Sequence, residues 1–518
     1  MNCHGTVVSP LPAEFTKCLH LLKKLTRSMK KCFVFGITLY FCSPVIAQKE
    51  NWEKLDLKDD SVFGISSQKA YKELLGNKHA KTVIVGIIDS GIDTVQEDLK
   101  SVLWTNPSDG SHGWDYIGQE TGREDIALLV GSKKAFYDSL SYTMVPESYR
   151  AGYQTYRKLS PQLDAKIGDI KKVISELKMA ELIADSLVQK MGKENPVVED
   201  FKGYQSQNDQ EKEIVKRIIK RLPIYNNWQE YRRAEISHII ELAQFHLDHG
   251  LNIDNEERDS AIGDSDISPD KLGPVSEPNL TAYHGTHVAG TIGAVRDNGI
   301  GMDGIADHVQ IMMLKVNGTL RELRDESLAK AIRFAVDHGA KVINLSFGKP
   351  YSWAKKDVDE AVKYAMQKDV LLIHAAGNSG QDLDAVEHYP NPVYGDKSGI
   401  AKAWIEVGAS GPKNDATLAA NFSNYGAKSV DVFAPGVEIY STLPFNQYAS
   451  WSGTSMAAPV VTGLAALIRE YYPKLTALQV RDIICKSVVK SPFLDGKCVT
   501  GGIVNAYTSL KLAAALNK

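Results

Sequence analysis

Apolar residues along this chain follow two rhythms. From Thr82 to Ile88 nearly every side chain is β-branched or small, the composition of a strand buried on both faces. Comparable runs recur at Ile311–Val316, Lys341–Leu345, Val370–His374, Ile405–Val407 and Val430–Phe433. Between them, Leu328, Ile332 and Ala335 share one helical face closed by Gly339, and Val358, Ala361, Val362 and Ala365 mark another. Strands alternating with helices predict an α/β fold, a doubly wound and mainly parallel sheet covered on both faces. Residues 120–272 keep a different beat. Ile167, Ile170, Ile174 and Leu177 fall at helical spacing, as do Ile214, Val215, Ile218, Ile219 and Leu222, and then Ile236, Ile239, Ile240, Ala243 and Leu247, with Gly250 as a stop. Lys, Glu and Asp fill the other faces. This segment reads as an inserted α-helical subdomain, a hairpin or small bundle, acting either as a solvated decoration or as a lid. A charged, turn-rich stretch from Asp254 to Pro278 leads back to the α/β part.

The chain start changes the picture of where the protein works. Met29, Lys30 and Lys31 precede an apolar run from Cys32 to Phe41, and small residues lead to Ala47. A basic start, a short apolar stretch and a small-residue exit predict a signal peptide, with translation starting at Met29 and cleavage after Ala47. The run is shorter than the roughly 20 residues that span a bilayer, and no other stretch is long and apolar enough. The expected mature chain is therefore exported, periplasmic or extracellular, with no transmembrane segment. Residues 48–80 form an N-terminal extension, 81–119 and 273–518 the two parts of the α/β domain. Export would remove Cys3, Cys18, Cys32 and Cys42, leaving Cys485 and Cys498 in an oxidising compartment where a disulfide is an option.

Composition adds only exclusions. Of 518 residues, 43% are apolar and 24% charged, which excludes global disorder. Sixty basic against 63 acidic residues leave a formal charge of -3 and no basic footprint for a nucleic acid.

Three strings carry chemistry: Asp89-Ser90-Gly91-Ile92-Asp93 directly after the first strand, His284-Gly285-Thr286-His287-Val288-Ala289-Gly290, and Gly453-Thr454-Ser455-Met456-Ala457-Ala458-Pro459 leading into an apolar helix. A serine hydroxyl is a weak nucleophile at neutral pH and needs a base within hydrogen-bond reach. A neutral imidazole can take that proton and later return it. A carboxylate fixes the imidazole tautomer and stabilises its cation. Ser455 lies just before a helix, where free N–H groups favour developing negative charge. Each string alone has a plainer explanation. Asp89 alone is a turn residue, and Gly-Thr-Ser alone is an N-cap. His284 and His287 alone suggest a metal pair, but no third ligand is spaced to complete it.

Together the strings resemble the subtilases, the subtilisin-like serine peptidases, from about Thr82 to Asp115 and again from about Thr281 to Asn505. The order Asp, His, Ser is that of subtilisin. The resemblance implies Asp89 as the triad carboxylate, His284 as general base and acid, and Ser455 as nucleophile. It implies that Asn378, in Ala375-Ala376-Gly377-Asn378, supplies an oxyanion-hole amide beside the Ser455 backbone N–H. It also implies a peptide-binding strand edge and a first specificity pocket. Ser346, Phe347 and Gly348 would form one wall and Ala375, Ala376 and Gly377 the other, and these small residues would leave room for a bulky apolar side chain. No cofactor is needed for the chemistry. A structural calcium is implied at Asp98 with Asp297 and Asn298, although the Val295–Met302 loop is one residue longer than the usual pattern. Two further departures are the long insertion and the stretch between Ala47 and the first strand, too short for the family's folded pro-segment. The expected function is that of an exported serine endopeptidase acting on peptide or protein substrates. A non-catalytic binding module and an esterase are the alternatives, the latter disfavoured by the absence of a Gly-x-Ser-x-Gly elbow at Ser455.

Overall fold

A computed structural model describes residues 51–76, 78–116, 124–224, 227–253, 282–317 and 323–516. The signal-peptide and cleavage expectations lie outside the described residues.

Nine strands form one sheet. In chain order they are β1 (Val83–Asp89), β2 (Gly113–Asp115), β3 (Val309–Lys315), β4 (Val342–Leu345), β5 (Leu371–Ala375), β6 (Trp404–Ser410), β7 (Val432–Pro435), β10 (Val489–Lys490) and β11 (Gly502–Ile503). An antiparallel ribbon, β8 (Ile439–Leu443) with β9 (Gln447–Trp451), stands beside it. The order across the sheet is β10-β11-β7-β6-β5-β4-β1-β3-β2. Every pairing is parallel except β10 with β11. This is the doubly wound α/β architecture that the alternating pattern predicts. Each of the six long apolar runs becomes a strand of this sheet, because β4 to β7 are buried along their whole length and water leaves no polar alternation to write.

Ten helices need naming. Four belong to the insertion: α1 (Asp125–Tyr137), α2 (Arg150–Met191), α3 (Asp209–Arg221) and α4 (His238–Phe245). The others are α5 (Tyr283–Gly293), α6 (Asp325–Asp337), α7 (Lys355–Gln367), α8 (Thr454–Tyr471), α9 (Ala477–Lys486) and α10 (Ala506–Leu516). Helices α6 and α7 cover one sheet face in a core with Ile88, Leu314, Ile343 and Leu372. Helices α5, α8, α9 and α10 cover the other, with Val85, Ile87, Ile373 and Ile405. Helix α8 is apolar on nearly all sides and is buried accordingly.

The N-terminal stretch packs onto this second core. Trp52 is buried and donates its indole N–H to the Val437 carbonyl at 3.0 Å. The insertion has small cores of its own. Tyr153, Tyr156, Leu159, Leu163, Ile170 and Ile174 of α2 form one with α1 and α4, and Ala184 and Leu187 form another with Phe201, Val215, Ile218 and Trp228. Helix α2 runs 42 residues, starting well before the Ile167 pattern, because Tyr153 and Tyr156 continue its buried stripe in aromatic form.

Cys485 and Cys498 are unpaired. Burial pushes the Cys485 thiol up to about 12, so it is a core group rather than a reactive one.

Candidate functional site

Asp89 ends β1, at the carboxyl edge of the parallel sheet where α/β folds place their sites. It is fully buried, and its Oδ1 accepts from the Ser90 N–H at 2.7 Å. The same oxygen lies 2.7 Å from His284 Nδ1. Helix α5 brings His284 there by packing tightly on the loop after β1. A Cβ on Gly285 would sit 2.1 Å from the Gly91 carbonyl oxygen, so any larger residue would force the histidine away. A carboxylate only accepts, so His284 Nδ1 carries the proton and Nε2 is left free as a base. Loss of water around the ring opposes its charge, but the Asp89 carboxylate outweighs this and holds the His284 pKa above its ordinary value.

His287, one turn on, belongs to the framework. Its Nε2 donates to the carbonyls of Ile439 and Ala449 at 3.0 and 3.2 Å, and its ring stacks on Trp451 with centroids 4.9 Å apart. Burial, reinforced by His284, pushes it down to about 3, so it stays neutral. Its Nε2 is thus committed to the β8–β9 ribbon.

Ser455 sits in the first turn of α8. Pro459, four residues on, has no N–H to return to the Ser455 carbonyl. That carbonyl instead accepts from Ser346 Oγ at 3.0 Å. Ser346 Oγ in turn accepts from Asn344 Nδ2 at 2.8 Å, and Asn344 Oδ1 from Thr462 at 2.9 Å. A buried polar chain thus ties the nucleophile's turn to the end of β4. The Ser455 hydroxyl itself donates to the Ser346 carbonyl at 3.1 Å. Asn378 Oδ1 accepts from Thr454 N at 2.8 Å and Thr454 Oγ1 at 2.9 Å. Those bonds turn its Nδ2 donors toward Gly453 and the start of α8. The Thr454, Met456 and Ala457 N–H groups already have acceptors, so the Asn378 amide and the Ser455 N–H are the donors that suit an oxyanion here.

Beside Ser455 lies a depression of about 700 Å³. Phe347, Gly348, Ala375, Gly377 and Asn378 line it. Two expected wall residues do not. Ala376 is turned into a core with Phe433 and Leu418, and the Ser346 side chain is spent on the polar chain. The expectation of a roomy slot needs correcting as well. His388 lies across it, with Nε2 2.1 Å from where a Gly348 Cβ would be and Cε1 3.2 Å from that of Gly377. No local pattern flags His388, since its place depends on a long loop folding back between two distant glycines. From the insertion, Lys158 and Gln162 of α2 reach the rim.

Asp98 and Asn298, two of the residues named for calcium, are in contact. The two Asp98 oxygens accept from Asn298 Nδ2 at 2.7 Å and Met302 N at 3.1 Å. Asn298 Oδ1 accepts from Ile300 N at 2.8 Å, and Asp297 is exposed. Calcium takes six to eight oxygen ligands; in this arrangement the Asp98 and Asn298 oxygens each accept from an N–H of the Asn298–Met302 stretch.

Comparison with known proteins adds the family context. The subtilase family profile matches residues 80–505. An alkaline protease of Alkalihalobacillus alcalophilus is 38% identical over 200 residues, 38% of this chain and 48% of that protein. Subtilisin Savinase of Lederbergia lenta shows the same identity over the same length, covering 67% of it. Subtilisin DY of Bacillus licheniformis is 38% identical over 224 residues, 43% of this chain and 75% of that protein. The chain spans about half the length of the first of these relatives.

Proposed function

Because the chain belongs to the subtilase family, we propose that it is an exported serine endopeptidase working through Asp89, His284 and Ser455. The observation that carries this reading is the 2.7 Å contact between buried Asp89 and His284 Nδ1; Ser455 at its helix start completes the reading through the family's motif. An extended peptide pairs with the chain edge at Ser346–Gly348, where main-chain bonds tolerate many sequences. His284 Nε2 takes the Ser455 proton as Oγ leaves the Ser346 carbonyl and attacks the scissile carbonyl carbon. The oxyanion receives hydrogen bonds from Asn378 Nδ2 and the Ser455 N–H. The imidazolium, stabilised by Asp89, then protonates the departing amine and leaves an acyl-enzyme on Ser455. Water, deprotonated by the same histidine, hydrolyses it.

Export rests on the Met29–Ala47 pattern. Protein recovered from the periplasm or medium should begin at Gln48 by N-terminal sequencing. For the chemistry, a fluorophosphonate probe is expected to label wild-type protein at Ser455, located by mass spectrometry, and not Ser455→Ala. A folded protein that takes no label would instead support a non-catalytic binding role.

A further inference from the structure

His388 is one of a group that the peptidase chemistry does not use. His374 on β5 and Glu406 on β6 are register partners, both deeply buried. The Glu406 carboxylate lies 2.8 and 3.0 Å from His374 Nδ1 and also accepts from the Trp404 indole at 3.0 Å. A carboxylate only accepts, so His374 carries a proton on Nδ1, and the neutral ring presents a lone pair on Nε2. That Nε2 is buried and has no partner. His388 repeats the arrangement. Its ring donates to the Ala375 backbone, and because its Nε2 also has no partner, the donor is Nδ1. Burial, reinforced by neighbouring His374, pushes its pKa down to about 4 and keeps this lone pair unprotonated at neutral pH.

Two bare imidazole nitrogens cannot satisfy each other, and leaving them buried is costly. What answers them is an electron-pair acceptor. An imidazole oriented through its other nitrogen by a carboxylate or a backbone carbonyl is the usual outer support of a zinc ligand. A nitrogen of each histidine and an oxygen of Glu406 lie within 4.8 Å of one another. Zinc at about 2.0–2.1 Å from each nitrogen would hold them nearer 3.4 Å apart. His374 is fixed on its strand, whereas His388 is on the loop between β5 and β6 and only half-buried, so His388 makes the adjustment.

We propose that His374 and His388 bind a divalent cation of the zinc class behind the His388 side of the depression beside Ser455, with Glu406 orienting His374 and water completing the shell. His388 already lies across the slot beside Gly348 and Gly377, so a bound cation would hold the ring there and keep a substrate side chain from displacing it. Zinc is then an inhibitor of the enzyme. The inhibition part rests on the peptidase reading; the binding part does not.

The binding is tested on full-length Ser455→Ala protein, which cannot digest itself, stripped with chelator and titrated with zinc chloride by calorimetry. One zinc per chain is expected. His388→Ala and His374→Ala should each weaken it at least about tenfold, and Glu406→Gln by about 10–100-fold, the range for an outer-shell partner. His308→Ala, in the separate Asp307–His308–Glu470 group, should leave it unchanged. No zinc binding, or binding that survives His388→Ala, overturns the proposal. His388 is on a loop, so its variant decides the matter even if His374→Ala fails to fold. Zinc binding in a protein whose wild type neither cleaves peptides nor takes a fluorophosphonate would retain the site and refute the peptidase reading.

Discussion

The Asp89–His284 pair makes a prediction about pH. His284 must be neutral to accept the Ser455 proton, and Asp89 holds its pKa above the ordinary imidazole value. The acidic limb of kcat/KM should therefore lie above about pH 6.5, with activity rising as pH climbs through it. In Asp89→Asn the limb should move down while the rate falls by about 10⁴, the loss recorded when a triad carboxylate becomes an amide. A pH–rate profile of both proteins checks this, and a wild-type limb at or below the ordinary value would contradict it. Asp89, His284 and Ser455 are legible in the sequence because each stands in a string whose neighbours have mechanical work: Gly285 for the close approach, Pro459 to free a carbonyl. His388 is not legible, because nothing local to Glu387-His388-Tyr389 says which glycines it will meet.

At the scale of elements, Lys349 follows the pocket wall of Phe347 and Gly348 and helps join the insertion to the α/β part. Its ammonium is buried against the carboxylates of Asp325, at 2.8 Å, and Asp125 at the start of α1. Burial pushes Asp125 up to about 6, with Lys349 opposing and Asp325 adding to the shift. Lys349→Met would leave two buried carboxylates without their cation. A loss of about 3–5 kcal/mol at neutral pH is expected from denaturant unfolding. The deficit should shrink as pH falls and the carboxyls take up protons; one that does not change with pH would place the cost in packing instead. The six long strands were readable because continuous apolar runs have few other uses. The β8–β9 ribbon was not, since β9 is only partly buried and carries no run, yet it supplies the Ile439 and Ala449 carbonyls that hold His287. Helix α2 was legible in its middle and not at its start, where tyrosines replace the aliphatic stripe.

For the molecule as a whole, the insertion touches the site from two sides. Lys158 and Gln162 stand at the rim of the depression, while Arg221 of α3 donates to the Tyr283 hydroxyl at 2.7 Å, one residue before His284. Replacing residues 127–265 with a short linker, which keeps Asp125 with Lys349, should raise cleavage of folded proteins relative to short peptides. Initial rates on a matched pair of substrates measure the ratio, and an unchanged ratio would make the insertion a decoration rather than a lid. Its position in the chain has another consequence, one of timing. Among the described residues, strand β1 pairs with β3 and β4 alone, and β2 with β3 alone. During synthesis from the N-terminus, Asp89 is therefore made long before any strand exists to hold it, and 195 residues separate it from His284. Ser455 leaves the ribosome later still, after the sheet around it has its central members. A nascent or truncated chain holds the parts of a hydrolytic site without their alignment, so its own neighbours are spared until the scaffold is nearly whole.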